Sequence, residues 1–221
     1  MKPALVFDLN GTLTDTGALD PLFASIFGSA ERRPEWFMQL IELAMACTAT
    51  GYFVEFSKLA EGAIGMLAER HKVAITVEQT AAIMSGVRNL PPFPDVKPAL
   101  EQLRDRGYRL VVLTNSARSG AESTLTNGGV AGYFERILSV EMVQTYKPSP
   151  QVYQAAAREL GITPSDMMMI AAHNWDTTGA FRAGCQTAFI TRPGEVLSST
   201  DPRPGIIARD LLELAEKLRM A

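Results

Sequence analysis

Short apolar runs alternate with stretches of helical period along most of this chain, and that alternation limits the available folds more than any other feature. Ala4–Asp8, Arg109–Thr114, Arg136–Ser139, Met167–Ala171 and Thr187–Thr191 read as strands, each bounded by Gly, Pro, Asn or Asp signals. Between them Val96–Arg106, Gly120–Asn127, Pro150–Leu160 and Thr177–Ala183 read as helices. The third helix has a clear start, with Ser149 at the N-cap and Pro150 at the first helical position, where its missing N–H costs nothing. Strands joined through helices pair in parallel with right-handed crossovers. The expected fold class is therefore α/β: a doubly wound, Rossmann-like parallel sheet with helices packed around it.

One stretch breaks the rhythm. From about Leu19 to Asn89 no convincing strand occurs. Trp36, Leu40, Leu43 and Cys47 fall on one helical face, and Phe56, Leu59, Ala63 and Leu67 on another. Pro91-Pro92-Phe93-Pro94 then closes the segment and returns the chain to alternation. This predicts a core domain over residues 1–15 and 93–221, with a helical subdomain inserted at 16–92.

Composition narrows the function classes. The chain is 47% hydrophobic and 20% charged, enough apolar material for a packed core, so disorder is excluded. A net charge of −3 without a long basic run argues against nucleic acid and anionic membrane surfaces as partners. No apolar stretch approaches the roughly 18 residues of a bilayer span. The block Ala4-Leu5-Val6-Phe7 is short for a signal peptide and ends on an acid. Cys47 and Cys185 form no CxxC pair, which speaks against a disulfide framework or a zinc knuckle. A cytoplasmic protein is expected, with a homodimer as the assembly allowed for.

Parallel sheets gather ligands at the carboxyl ends of their strands. Asp8 follows the first predicted strand, Thr114-Asn115 the second and His173-Asn174-Trp175-Asp176 the fourth, while Lys147 precedes the third helix. Singly, each has an ordinary explanation: a turn cap, a turn hydroxyl, a solvated lysine. Together they bring two carboxylates, a hydroxyl and a lysine from distant parts of the chain to one sheet edge.

Here the residues resemble a family. Asp8-Leu9-Asn10-Gly11-Thr12-Leu13-Thr14-Asp15 is similar to the first motif of the haloacid dehalogenase-like hydrolase superfamily, Thr114-Asn115 to its second, Lys147-Pro148 to its third and the segment ending in Asp176 to its fourth. The helical insert matches the cap that the superfamily places after its first motif. Within it, Tyr146-Lys147-Pro148-Ser149-Pro150-Gln151-Val152-Tyr153, Trp175-Asp176-Thr177-Thr178-Gly179-Ala180 and Arg192-Pro193-Gly194-Glu195 resemble the 2-haloacid dehalogenase branch.

The resemblance implies a hydrolase of small organic 2-haloacids that works through an aspartyl ester, with neither metal nor other cofactor. Asp8 would be the nucleophile, with Lys147 keeping it ionised. Thr12, Thr114 and Asn115 would supply hydrogen bonds to it or to the substrate carboxylate, and Asp176 would orient Lys147 or activate water. Tyr153 is grouped with the substrate-binding residues, and Phe37, Phe56 and Trp175 are candidate apolar walls. The branch carries an arginine early in its cap to hold the departing halide, but none occurs between Arg33 and Arg70, and Phe37 stands at the expected place. Asn10 and His173 are the substitutes expected to hold that anion. His71 reads as a solvated helix-end residue.

Two other readings stand beside this one. A Mg-dependent phosphatase of the same superfamily would need a carboxylate where Ala172 stands and an acid where Asn10 stands. A binding protein on a catalytically altered hydrolase fold would leave Asp8, Thr12, Lys147 and Asp176 without a task.

Overall fold

The strand order β3-β2-β1-β4-β5-β6, parallel throughout, sets where chemistry can occur in this molecule. The computed structural model describes residues 2–220. The strands are β1 (Ala4–Phe7), β2 (Leu110–Thr114), β3 (Arg136–Ser139), β4 (Met167–Ala171), β5 (Gln186–Ile190) and β6 (Ile206–Ala208). The chain leaves β1 in the middle of the sheet, builds outward on one side through β2 and β3, then returns to the other side of β1 with β4. The strand order therefore reverses between β1 and β4, and the crevice at their carboxyl ends is the favoured ligand site of such a sheet.

Each central strand is buried on both faces, which explains its nearly continuous apolar sequence. Ala4 and Val6 point to one side and Leu5 and Phe7 to the other, so β1 feeds two separate cores. On one side Leu5 and Phe7 meet α5 (Val96–Asp105), α6 (Arg118–Asn127) and α9 (Leu211–Met220). On the other, α7 (Pro150–Leu160) and α8 (Asn174–Arg182) cover the sheet. The second core continues without a break into the helices that lie between β1 and α5.

Those helices are α1 (Asp20–Phe27), α2 (Arg32–Thr50), α3 (Phe56–His71) and α4 (Val77–Arg88). They bury Phe23, Trp36, Leu40, Leu59, Ala63 and Leu67 against one another, and the Trp36 indole N–H donates to the Ala60 carbonyl at 3.0 Å to fix α2 on α3. At the ends of α2 and α3, Glu35 accepts from Arg32, Arg70 and His71. His71 is thus half-buried and paired, not merely solvated as its sequence position suggests. A capping box at Thr76 and Gln79 starts α4.

The structure adds elements that the alternation does not reveal. β6 and α9 complete the sheet edge and one face, beyond the last strand expected from sequence. Helix α8 begins at Asn174 rather than Thr177, with His173 as its N-cap residue. Asp176 consequently sits in the first helical turn. Among the described residues, no helix is long and apolar enough to cross a membrane.

Candidate active site

The loop after β1 is built to hold Asp8 still. Its own N–H donates to the Ile170 carbonyl of β4 at 3.0 Å. Leu13 and Thr14 donate back to the Leu9 carbonyl, closing a tight turn through Gly11. Gly11 adopts φ +81°, and a Cβ there would lie 3.0 Å from the His173 ring, so both backbone and neighbour require glycine. Arg192, from beyond β5, donates to the Thr12 carbonyl at 3.1 Å and pairs with Asp95, pinning the loop from outside.

Around Asp8 the distant parts of the chain converge. Lys147 Nζ donates to Asp8 Oδ1 at 2.8 Å, to Asp176 Oδ2 at 2.6 Å and to the Leu113 carbonyl at 3.0 Å, so all three ammonium hydrogens are used. Thr12 Oγ1 donates to Asp8 Oδ2 at 2.8 Å and accepts from the Ala172 N–H at 2.9 Å. His173 Nδ1 lies 3.2 Å from the same Oδ2. Asp8 is 5% exposed, Lys147 1%, His173 4% and Asp176 0%.

Burial alone would raise the Asp8 pKa, but the Lys147 charge and the His173 hydrogen bond outweigh it and hold the carboxyl below the usual carboxylate range. Burial likewise opposes charge on Lys147, yet Asp176 and Asp8 keep its pKa raised. Asp176 is pushed up by burial, and Asp8, which draws on the same ammonium, adds to the shift. The result is an ionised, desolvated and immobilised carboxylate at the end of β1.

The remaining predicted residues fall into two groups. Asn115 Oδ1 accepts from the Lys147 N–H at 3.0 Å, and its Nδ2 is buried without a protein partner. Asn10 Nδ2 donates to Ser116 Oγ at 3.2 Å. Trp175 stacks on the His173 ring at a centroid distance of 5.1 Å, and Phe37 lies against the same ring, tilted, at 5.4 Å. The second group lies behind the site. The Thr114 hydroxyl accepts from the Ser116 N–H at 3.1 Å and shapes the turn. Tyr153, grouped with substrate-binding residues by sequence, is fully buried on α7 and donates to Asp176 Oδ1 at 2.6 Å. Its hydroxyl is turned to Asp176, and its side chain has no exposed surface. Asp176 thus accepts one hydrogen bond on each oxygen, from Lys147 and from Tyr153.

A cavity of about 380 Å³ opens between the insert and the sheet, past Asn10, Phe37, Phe56, Arg88 and Ser116. Arg88 and Ser116 carry no motif that sequence reading could use. The cavity reaches the neighbourhood of the cluster through Asn10 and Ser116 and is not lined by Asp8, Lys147, His173 or Asp176 themselves, while a wider groove of about 1080 Å³ at the opposite, amino-terminal end of the strands runs past Lys2, Tyr108 and Gln186. Arg33, the last arginine before Phe37, is spent on Asp20 and Thr16. Arg33 therefore does not substitute for Phe37, and Arg88 of α4 is the guanidinium that lines the cavity.

The donor set does not fit a divalent cation. Ala172 supplies no side-chain ligand, the Asn10 amide turns to Ser116, and the Lys147 ammonium lies between the two carboxylates. Among the described residues, no three His, Cys, Asp or Glu side chains converge to hold a metal ion.

Comparison with known proteins decides the family. The model of the haloacid dehalogenase-like hydrolases matches residues 2–184. The chain belongs to that family. It is similar to (S)-2-haloacid dehalogenase 2 of Pseudomonas sp. strain CBS-3, at 27% identity over 98% of this chain and 96% of the relative. The haloacetate dehalogenase H-2 of Moraxella sp. strain B is 28% identical over 86% of each chain. Among solved structures, an L-2-haloacid dehalogenase superposes with a TM-score of 0.94 at 26% identity, covering 99% of both chains. The haloacid dehalogenase-like hydrolase fold thus accounts for the whole described architecture, β6 and α9 included.

Proposed function

We propose that this hydrolase cleaves the carbon–halogen bond of a 2-haloacid through an ester on Asp8, without a metal ion. The observation that carries the reading is the state of Asp8: ionised, nearly excluded from water, and held at both oxygens by Lys147, Thr12 and His173. A carboxylate is a weak nucleophile when hydrated, and removing its water while aiming it is what this cluster accomplishes. Asp8 would attack C2 of the substrate, forming a C–O bond as the C–X bond breaks and halide departs. Water would then attack the ester carbonyl, releasing the hydroxy acid and regenerating Asp8.

The buried, unpartnered Nδ2 of Asn115 and the Ser116 hydroxyl are the donors we assign to the substrate carboxylate. The insert would act as the cap, with Phe37 and Phe56 as apolar walls. Similarity to the (S)-2-haloacid dehalogenases supports the same substrate class. Halide release from a panel of 2-haloacids, run beside phosphate release from phosphate esters, tests the reading. Halide release that disappears in Asp8→Asn supports it. Phosphate release alone would refute it.

A further inference from the structure

We infer that the substrate is a 2-haloacid whose chain runs on from C2 as an apolar tail and ends in a second carboxylate, and that Arg88 selects it by pairing with that distal group. The inference rests on the dehalogenase reading above and concerns what lies beyond the reacting carbon. The cavity between insert and sheet is larger than a short haloacid needs. At about 30 Å³ per water, its volume of about 380 Å³ has room for about a dozen waters. A three-carbon 2-haloacid, with about six non-hydrogen atoms, fills about half of that. Cavities of about 300–1,000 Å³ ordinarily hold larger organic ligands.

The cavity is also long. It begins beside Asn10 and Ser116, next to the Asp8 cluster, and follows one face of α6 from Ala117 through Gly120 to Thr124. That run is about 10 Å at the helical rise of about 1.5 Å per residue. Trp36 and Leu40 of α2 and Met84 and Val87 of α4 supply apolar wall, which favours methylene groups over water. Arg88, the last residue of α4, stands at the far end. Its carbonyl accepts from Asn127, the last residue of α6, at 3.3 Å.

Charge then decides how the tail ends. Arg88 is the single lysine or arginine that lines the cavity, and among the described residues no carboxylate pairs with its guanidinium. Glu55 and Glu141 line the cavity too, but both lie toward Tyr146. Burial raises the pKa of that phenol, and the charges of Cys47, Glu55 and Glu141 add to the shift. Glu141 is also engaged at the start of α6, where it accepts from the Arg118 N–H at 2.8 Å. An anionic tail end is thus repelled from the Glu55 and Glu141 side and attracted to Arg88. The planar fork of a guanidinium matches a carboxylate in geometry as well as in charge, which fixes the end group as a carboxylate.

Bromide release from matched 2-bromo acids tests this. 2-Bromoadipate and 2-bromosuberate, which end in carboxylate, are compared with 2-bromohexanoate and 2-bromooctanoate, which end in methyl, with 2-bromopropionate as the reference. In the wild type, kcat/KM for at least one diacid should exceed that of its methyl-ended partner by about tenfold, the effect of one hydrogen-bonded charge pair. In R88Q that ratio should fall to about one, through KM and not kcat, because the distal contact is the same before and during C–Br cleavage. R88K keeps the charge without the fork and should retain part of the ratio. Added salt should shrink the wild-type ratio. Equal kcat/KM for diacids and methyl-ended partners in the wild type would overturn the inference. So would a loss in R88Q shared equally by both, because Arg88 would then act at the reacting centre or in holding the insert. If neither 2-bromopropionate nor any longer acid releases bromide, the dehalogenase reading itself fails, and the inference with it. Bromide release without a preference for diacids leaves that reading standing and removes the inference alone.

Discussion

Replacing Gly179 with alanine adds one methyl group where α8 crosses the segment carrying Lys147, and the structure specifies the consequence. A Cβ at 179 would lie 2.4 Å from the Pro148 carbonyl oxygen, 2.6 Å from its Cβ and 2.8 Å from its Cα. Carbon and oxygen normally approach to about 3.3–3.6 Å, so helix and loop must separate by about 1 Å. Neither side yields easily, because the obstacle is main chain and α8 is tied to the loop through Asp176 and Lys147. Overpacking of this kind costs about 1–3 kcal/mol. In a domain of this size that corresponds to a Tm lower by about 2–12 °C. The catalytic effect should be larger than the loss of stability suggests. Asp176 lies one turn earlier on α8 and Lys147 immediately precedes Pro148, so the separation opens the 2.6 Å contact that steadies the ammonium beside Asp8. A misplacement of about 1 Å at a catalytic group can cost on the order of 100-fold in rate. Differential scanning calorimetry and halide release would be measured together, with Gly62→Ala as the comparison. Gly62 lies within α3 with nothing within 4 Å of its added Cβ, and that change should stabilise by about 0.5–1 kcal/mol with activity unaltered. Wild-type Tm and kcat in Gly179→Ala would refute the reasoning that α8 and the Lys147 loop are held at contact distance.

Tyr153→Phe removes the 2.6 Å donor to Asp176 without altering ring packing, and should cost about 1.5–3 kcal/mol by urea unfolding; a loss below about 0.5 kcal/mol would contradict a buried charged hydrogen bond. Glu35 is held at about 2 chiefly by its His71 hydrogen bond, against burial, with Arg70 and Arg32 adding to it. Its folded pKa lies below the unfolded value, so its contribution is present above about pH 4.5 and lost as pH falls toward 2. Glu35→Gln should therefore lower stability by about 1 kcal/mol at pH 7, with the gap closing in urea titrations at pH 3; a gap independent of pH would count against the assignment. Exhaustive chelation should leave halide release intact, whereas abolition by chelator and recovery with Mg²⁺ would overturn the metal-free reading.

The sheet was legible because parallel strands buried on both faces must be continuous apolar runs, and Leu110–Thr114 and Met167–Ala171 are just that. β6 escaped notice because three residues, two of them half-exposed, carry no period. Helix α8 reads late because Asn174 and Trp175 are weak helix formers, and its first turn is held in place where Asp176 meets Lys147. At the site, Asp8, Lys147 and Asp176 could be brought together from the strand ends and the loop before α7, whereas Thr12 entered through the family resemblance. The partners of Tyr153 and His173 could not be read in this way, because each depends on which polar atom the side chain meets across the fold. Tyr153 meets Asp176 and is shut in, whereas His173 meets Asp8. The insert could be recognised as helical, but the merging of its apolar core with the α7 and α8 side of the sheet is a matter of packing that no local period encodes.

The central claim is that Asp8 carries the substrate as an ester. A single turnover in H2¹⁸O, with enzyme in excess over 2-haloacid, tests it most directly, followed by mass analysis of the product and of the peptide containing Asp8. Water that attacks the ester carbonyl places ¹⁸O in the Asp8 carboxylate, and the hydroxy acid leaves with the enzyme's own ¹⁶O. Product labelled with ¹⁸O in that first turnover, beside an unlabelled Asp8, would mean that water displaces the halide directly and that Asp8 is not the nucleophile.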